Sequence, residues 1–190
     1  MSLSLNEKLC HAQQSLLLII DIQERLASAM PEKIAAKVIK NNSILLDAAK
    51  ELNIPVIHSE QYPKGLGHTM PSLSLKITNS DNLITKTSFA CSNSDGFNEL
   101  IAQQKKQQIV ISGMESHICV LQSALHLQRQ GYAVYVVEDA VCSRKKLNHK
   151  NAIERLRHSS VIVSNVESVI FEWLEDANHP KFKTLSNLIR

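Results

Sequence analysis

The sequence predicts an α/β fold: a three-layer αβα arrangement around a six-stranded, mainly parallel sheet. Three observations predict it. Short apolar runs rich in β-branched residues recur along the chain, each of strand length, as at residues 16–20 and 109–111. Between them lie stretches whose apolar residues fall at helical spacing. The alternation of strand and helix requires crossovers, which are right-handed and leave parallel strands covered on both faces.

Taken in order, Ser15–Ile20 is the first strand, and after Pro31 a helix runs through Ile34, Val38, Leu45 and Ala49. Residues 54–57 form the second strand, entered through Pro55, a residue that strand edges tolerate. The least regular region is 59–82, which contains Tyr62-Pro63-Lys64-Gly65-Leu66-Gly67. A third short strand follows at 83–85, then a helix at 97–105 capped by Ser94 or Asp95. The fourth strand, 109–111, is broken by Gly113. A helix over 116–130 comes next, with Ser116 as N-cap, Leu121, Ala124 and Leu125 in phase, and Gly131 closing it. Residues 133–137 and 161–163 are the fifth and sixth strands, separated by a helix at 148–157. Helices at 167–174 and 181–189 make residues 165–190 a C-terminal helical extension of one domain spanning 1–190.

Composition narrows the function. Hydrophobic residues at 44% and charged ones at 21% are ordinary for a packed domain and speak against disorder. A net charge of +3 with 4% aromatics offers little to nucleic acid. The longest apolar run, 16–20, is far too short for a membrane. Glu7 and Lys8 sit in a polar start, so no cleaved signal is expected. Cys10, Cys91, Cys119 and Cys142 are widely spread without a CxxC pair, which fits free thiols in a reducing cytoplasm. With five glycines and no phosphate-cradling motif, a nucleotide loop is not expected.

Open parallel sheets bind ligands beyond the carboxyl ends of their strands. Asp21 ends the first strand, Lys86 ends the third, and Cys119 follows the fourth, so three reactive groups share one rim. With Ser116 as N-cap, Cys119 lies in the first helical turn, where the amides lack intrahelical partners. Those amides and the helix dipole favour a thiolate and could hold an oxyanion. Singly, each residue has a plainer reading: a core cysteine, a turn-capping aspartate, a solvated strand-end lysine. Their convergence favours chemistry. His117 near Cys119 suggests a dyad, but positions this close along a helix point in different directions. The basic stretch 144–157, with Arg144, Lys145, Lys146, Lys150, Arg155 and Arg157, is read as a solvated helix face or an anion site.

The chain resembles the isochorismatase-like cysteine hydrolases. The matching pieces are Leu17-Leu18-Ile19-Ile20-Asp21-Ile22-Gln23, Thr85-Lys86-Thr87-Ser88-Phe89 and Gly113-Met114-Glu115-Ser116-His117-Ile118-Cys119-Val120. A fourth, Gly131-Tyr132-Ala133-Val134-Tyr135-Val136-Val137-Glu138-Asp139-Ala140, looks like the family's fifth strand and its exit. The resemblance implies an Asp–Lys–Cys triad of Asp21, Lys86 and Cys119, cleaving a small-molecule carbonyl–nitrogen bond through a thioester. It also implies a non-proline cis peptide between Met114 and Glu115, with the Glu115 and Cys119 amides as a two-donor oxyanion hole.

The chain departs from the family's nicotinamidases after the second strand. Val56-Ile57-His58-Ser59-Glu60-Gln61-Tyr62, with His68 further on, lacks their Asp-x-His metal pattern. One histidine and one glutamate are a poor set for zinc or iron, so neither a metal nor another cofactor is expected, and the stretch resembles the metal-free branch. Gln23, Glu60 and Phe89 are expected to line the substrate pocket together with Glu115, favouring a neutral or weakly polar substrate. A homo-oligomer is expected from the resemblance and from the helical extension. Two other readings stand beside this one: a non-catalytic binding or assembly module, and a vinyl-ether hydrolase that uses Asp21 and needs no thiol.

Overall fold

The computed structural model describes residues 8–77 and 82–190; Glu7 and residues 78–81 of the irregular region lie outside them. The sheet grows outward from β1 (Ser15–Ile20), in which every residue is buried. Leu17 and Ile19 enter one core while Leu16, Leu18 and Ile20 enter the other. Burial on both faces is why this strand reads as an unbroken apolar run rather than as an alternation.

Five further strands join it: β2 (Val56–Gln61), β3 (Leu83–Lys86), β4 (Gln108–Met114), β5 (Ala133–Cys142) and β6 (Ile162–Ser164). Their order is β3-β2-β1-β4-β5-β6, and every neighbouring pair is parallel. The direction of winding reverses between β1 and β4, the point at which such sheets open a crevice at the strands' carboxyl ends.

Helices cover both faces. On one lie α1 (Glu24–Ser28), α2 (Glu32–Glu51) and α8 (Val166–Leu174), which bury Ala27, Val38, Leu45, Val169 and Trp173. On the other lie α5 (Phe97–Gln103), α6 (Leu121–Arg129) and α7 (Lys146–Arg157), which bury Phe97, Ile101, Leu127, Ile153 and Leu156. Two one-turn helices, α3 (Pro63–Leu66) and α4 (Pro71–Ser74), lie within the irregular region, and α9 (Phe182–Leu188) ends the chain. Among the described residues no helix is long and apolar enough to cross a membrane.

Several boundaries differ from expectation for physical reasons. β2 runs on through Ser59, Glu60 and Gln61, whose polar side chains find partners at the strand's end. Gly113 does not break β4. It sits inside the strand at φ 122°, in register with Ile20, and a Cβ there would collide with the Ile20 main chain. β5 continues to Cys142, taking up extra residues where its register against β4 shifts. Neither Ser94 nor Asp95 caps α5; Gly96, at φ 75°, leads into it without a side-chain cap. Nor is the C-terminal segment an appendage. Trp173 is buried and its indole N–H reaches Ser15 Oγ at 2.9 Å and Cys10 Sγ at 3.1 Å, at the start of β1.

Candidate active site

Asp21 follows β1 in the left-handed conformation, φ 50°, which an aspartate tolerates better than most side chains. Its amide donates to Ser59 O at 3.1 Å, and its carbonyl accepts from Gln23 N at 2.9 Å, which fixes the turn. The carboxylate is held at both oxygens. Ser59 Oγ donates to Oδ1 and Lys86 Nζ donates to Oδ2, each at 2.7 Å. Lys86 comes from the last position of β3, and its ammonium also meets Gln61 Oε1 at 2.8 Å and the carbonyls of Ser88 and Phe89 at 3.3 Å.

The Asp21 and Lys86 side chains are 0% exposed. A buried ion pair is weak evidence for stability, because desolvation offsets most of its attraction. Kept at a strand-end crevice, it points to chemistry. Burial pulls the Lys86 ammonium down, but the Asp21 charge, with Cys91 and Cys119 beside it, outweighs burial and the net shift is upward.

Cys119 is buried within a π-helical segment, Ser116–Val120, that continues into α6. This corrects the expectation of an α-helical first turn capped by Ser116. Ser116 Oγ instead pairs with His149 Nδ1 at 2.9 Å, and residue 115 precedes the segment without a side-chain cap. The surroundings of Cys119 work against the expected thiolate. Burial pushes the thiol well above its ordinary range, the Asp21 charge and a hydrogen bond to Asp21 push the same way, and Lys86 pulls against them. Burial and the Asp21 charge thus favour the thiol over the thiolate at Cys119. The peptide between Met114 and Glu115 is cis.

The expected pocket residues divide. Glu115 is buried, but its carboxylate is taken by Arg144, accepting from the backbone N–H at 2.9 Å and from Nε at 3.1 and 3.2 Å. Gln23 is fully buried, and its amide is engaged with main chain: Nε2 donates to Gln61 O (2.9 Å) and Gly67 O (2.6 Å), and Oε1 accepts from Gln61 N (2.7 Å). Neighbouring strand residues face opposite sides, so Glu60 points away from Ser59 and Asp21. It binds Thr69 N and Oγ1 at 2.6 and 2.8 Å, and His68 Nδ1 at 3.1 Å. Gln23 and Glu60 thus fasten the 62–69 loop. Phe89 is 53% exposed beside the Lys86 ammonium, which suits a rim. His117 turns toward Ser143 Oγ (2.9 Å) and Asn148 Nδ2 (3.1 Å).

Three residues near Asp21, Lys86 and Cys119 were not singled out from sequence as site residues: Ser59, Gln61 and Cys91. Cys91 is fully buried, its Sγ is 3.7 Å from Ser59 Oγ, and burial raises its thiol as well. Ser59 and Gln61 did carry a signal. They stand two apart in phase with buried Ile57, so they continue its face to the rim. Among the described residues no group of three or more His, Cys, Asp or Glu side chains is arranged to hold a metal ion.

The fold and this site define a hydrolase of the isochorismatase class. The Isochorismatase domain matches residues 15–168, so the chain belongs to the isochorismatase family. Isochorismatase family protein 1B of Dictyostelium discoideum is 36% identical over 177 residues, covering 91% of this chain and 84% of that protein. A structure described as the MAR1 ribonuclease of Caenorhabditis elegans superposes with a TM-score of 0.87 at 35% identity, covering 94% of this chain and 91% of that one. The Escherichia coli YcaC gene product, described as an octameric hydrolase of unknown specificity, gives a TM-score of 0.84 at 21% identity and covers 100% of this chain and 97% of that one.

Proposed function

We propose that this protein is a cysteine hydrolase that cleaves a carbonyl–nitrogen bond in a small molecule through a thioester on Cys119. The observation that carries this reading is the buried Asp21–Lys86 pair at 2.7 Å, with Cys119 buried close enough for the Asp21 charge to bear on its thiol. Asp21 takes the thiol proton as sulfur attacks the carbonyl carbon, and Lys86 offsets the negative charge gathered there. The oxyanion is held by the main-chain amides of Glu115 and Cys119. Protonated Asp21 then gives its proton to the leaving nitrogen, and the regenerated carboxylate activates water to open the thioester. Ser59 and Gln61 hold the acid–base pair in place.

A resting thiol suits this sequence, because the proton Asp21 must later donate begins on sulfur. The ribonuclease description of the Caenorhabditis protein is not carried over. A polyanionic backbone needs accessible cations, whereas the Lys86 ammonium is buried and paired with Asp21. We further propose that the single 1–190 unit assembles with copies of itself, and that its four free, buried thiols serve in a reducing cytoplasm.

The direct check is intact-mass and peptide mass spectrometry after a short pulse with a panel of amides, carbamoyl compounds and esters. An acyl adduct on Cys119, with turnover abolished in a folded Cys119→Ala variant, is the expected result. Adducts on Cys10, Cys91 or Cys142 while Cys119 stays unmodified would end the proposal, as would full turnover in Cys119→Ser.

A further inference from the structure

A second concavity, of about 450 Å³, lies between the start of α2 and the turn joining β5 to α7. That volume falls within the range typical of small-molecule pockets. Pro31, Ile34, Val38 and Val141 give it an apolar wall, and Lys37 and Lys146 line it as cations.

Its charges are unequally occupied. Of the two lining carboxylates, Glu138 is paired with Arg157 at 2.6 Å and Asp139 Oδ1 accepts from Val166 N at 2.9 Å. The ammonium groups of Lys37 and Lys146 have no carboxylate within ion-pair distance among the described residues. Two further lining residues lead to the nucleophile segment. Arg144 holds the Glu115 carboxylate, and His149 holds Ser116 Oγ.

From this we infer that the concavity is a binding site for a small amphipathic monoanion, a monocarboxylate with a short apolar tail, whose occupancy is felt at Cys119 through Arg144–Glu115 and His149–Ser116. The tail lies along Pro31, Ile34, Val38 and Val141, and the carboxylate meets Lys37 and Lys146. A second negative charge would face Asp139. Ligand binding itself is independent of the thioester reading; the link to Cys119 alone rests on it.

Hexanoate is the probe and hexan-1-ol its uncharged counterpart, titrated calorimetrically into the full chain. Saturable hexanoate binding at least tenfold tighter than hexan-1-ol is expected, weakened at least tenfold in Lys37→Ala/Lys146→Ala. Without hexanoate, that variant should label at Cys119 with iodoacetamide at the wild-type rate. Lys146→Glu should shift the preference toward hexylamine. Saturating hexanoate should change the wild-type labelling rate severalfold, and Arg144→Ala should remove the change. No saturable binding, equal binding of alcohol and acid, or binding undiminished in the double variant would overturn the site. The last outcome would place the acid elsewhere, for example at Cys119 as a product analogue. An unchanged labelling rate at full occupancy would overturn the link.

Discussion

At the scale of single residues, the site depends on holding charges that water would otherwise solvate. Ser59 Oγ and Lys86 Nζ each donate to the Asp21 carboxylate at 2.7 Å. Hydrogen bonds to charged groups contribute about 1.5–3 kcal/mol, and each 1.4 kcal/mol is a factor of ten in rate. Ser59→Ala should therefore slow labelling and turnover at Cys119 by roughly 10–100-fold with the fold retained, and undiminished labelling would deny Ser59 this role. The resting thiol has its own signature. Because burial and Asp21 push Cys119 above its ordinary value of 9.0, its iodoacetamide labelling rate should still be rising through that pH. A plateau already reached near neutrality would mean a preformed thiolate. Away from the site, His58 is buried with no partner at Nδ1 among the described residues, and burial lowers its pKa from 6.5 against the opposing pull of Glu60. Below 6.5 the unfolded chain binds the proton that folded His58 resists, so this contribution to stability is intact above that pH and falls as the pH drops. Urea midpoints at pH 7 and at about pH 5, where histidines titrate, should diverge more in wild type than in His58→Leu. Equal losses in both would assign the acid sensitivity to other groups such as His149, whose pKa burial also lowers.

Elements were legible in the sequence where one physical rule acted alone. β1 is buried throughout, so its apolar run declares itself, and α8 was expected from 167, within one residue of its start after the Asn165 cap, whose side chain accepts from Ser168 N at 2.9 Å. Legibility failed where a strand carries polar residues for the site. Ser59, Glu60 and Gln61 look like a loop in sequence, yet they are the end of β2, because their hydrogen-bonding needs are met by Asp21, Thr69 and Lys86. Asp21, Lys86 and Cys119 stood out in the sequence because they end strands or follow them, whereas the main-chain and loop hydrogen bonds of Gln23 and Glu60 were not legible, because rim position in sequence says nothing about what the side chain faces. Gly113 also sent a misleading signal. It resembles a terminator, but its role is the close approach of β4 to β1 one residue before Asp21. Gly113→Ala should cost about 1–3 kcal/mol from overpacking, with added strain at φ 122°. It should also depress Cys119 labelling, because the collision is with Ile20. Thermal denaturation together with labelling checks this, and a variant matching wild type in both would refute the close-approach argument.

The whole molecule presents exposed apolar side chains that its own core does not use. Leu75 is 86% and Leu147 78% exposed, and Tyr62 and Phe89 are more than half exposed. Scattered single residues need no explanation. Phe89 is different, since its carbonyl touches the Lys86 ammonium, and Tyr62 is tied to the same residue through its amide, which donates to Lys86 O at 2.8 Å. Both belong to the segments that frame the triad's edge, where a second copy could complete a wall that one chain leaves open. The C-terminal helices no longer argue for assembly, because Trp173 and Leu185 are buried in the chain's own core. The case for assembly rests on this rim. Closed symmetric assemblies are the common outcome for soluble chains. Light scattering at micromolar concentration should then give an even multiple of 21.2 kDa. Phe89→Ser should shift the mass downward and change the KM of Cys119-dependent turnover in the same variant. A monomer mass for wild type would remove self-association, and a Phe89→Ser variant unchanged in both mass and KM would move any interface away from the triad rim.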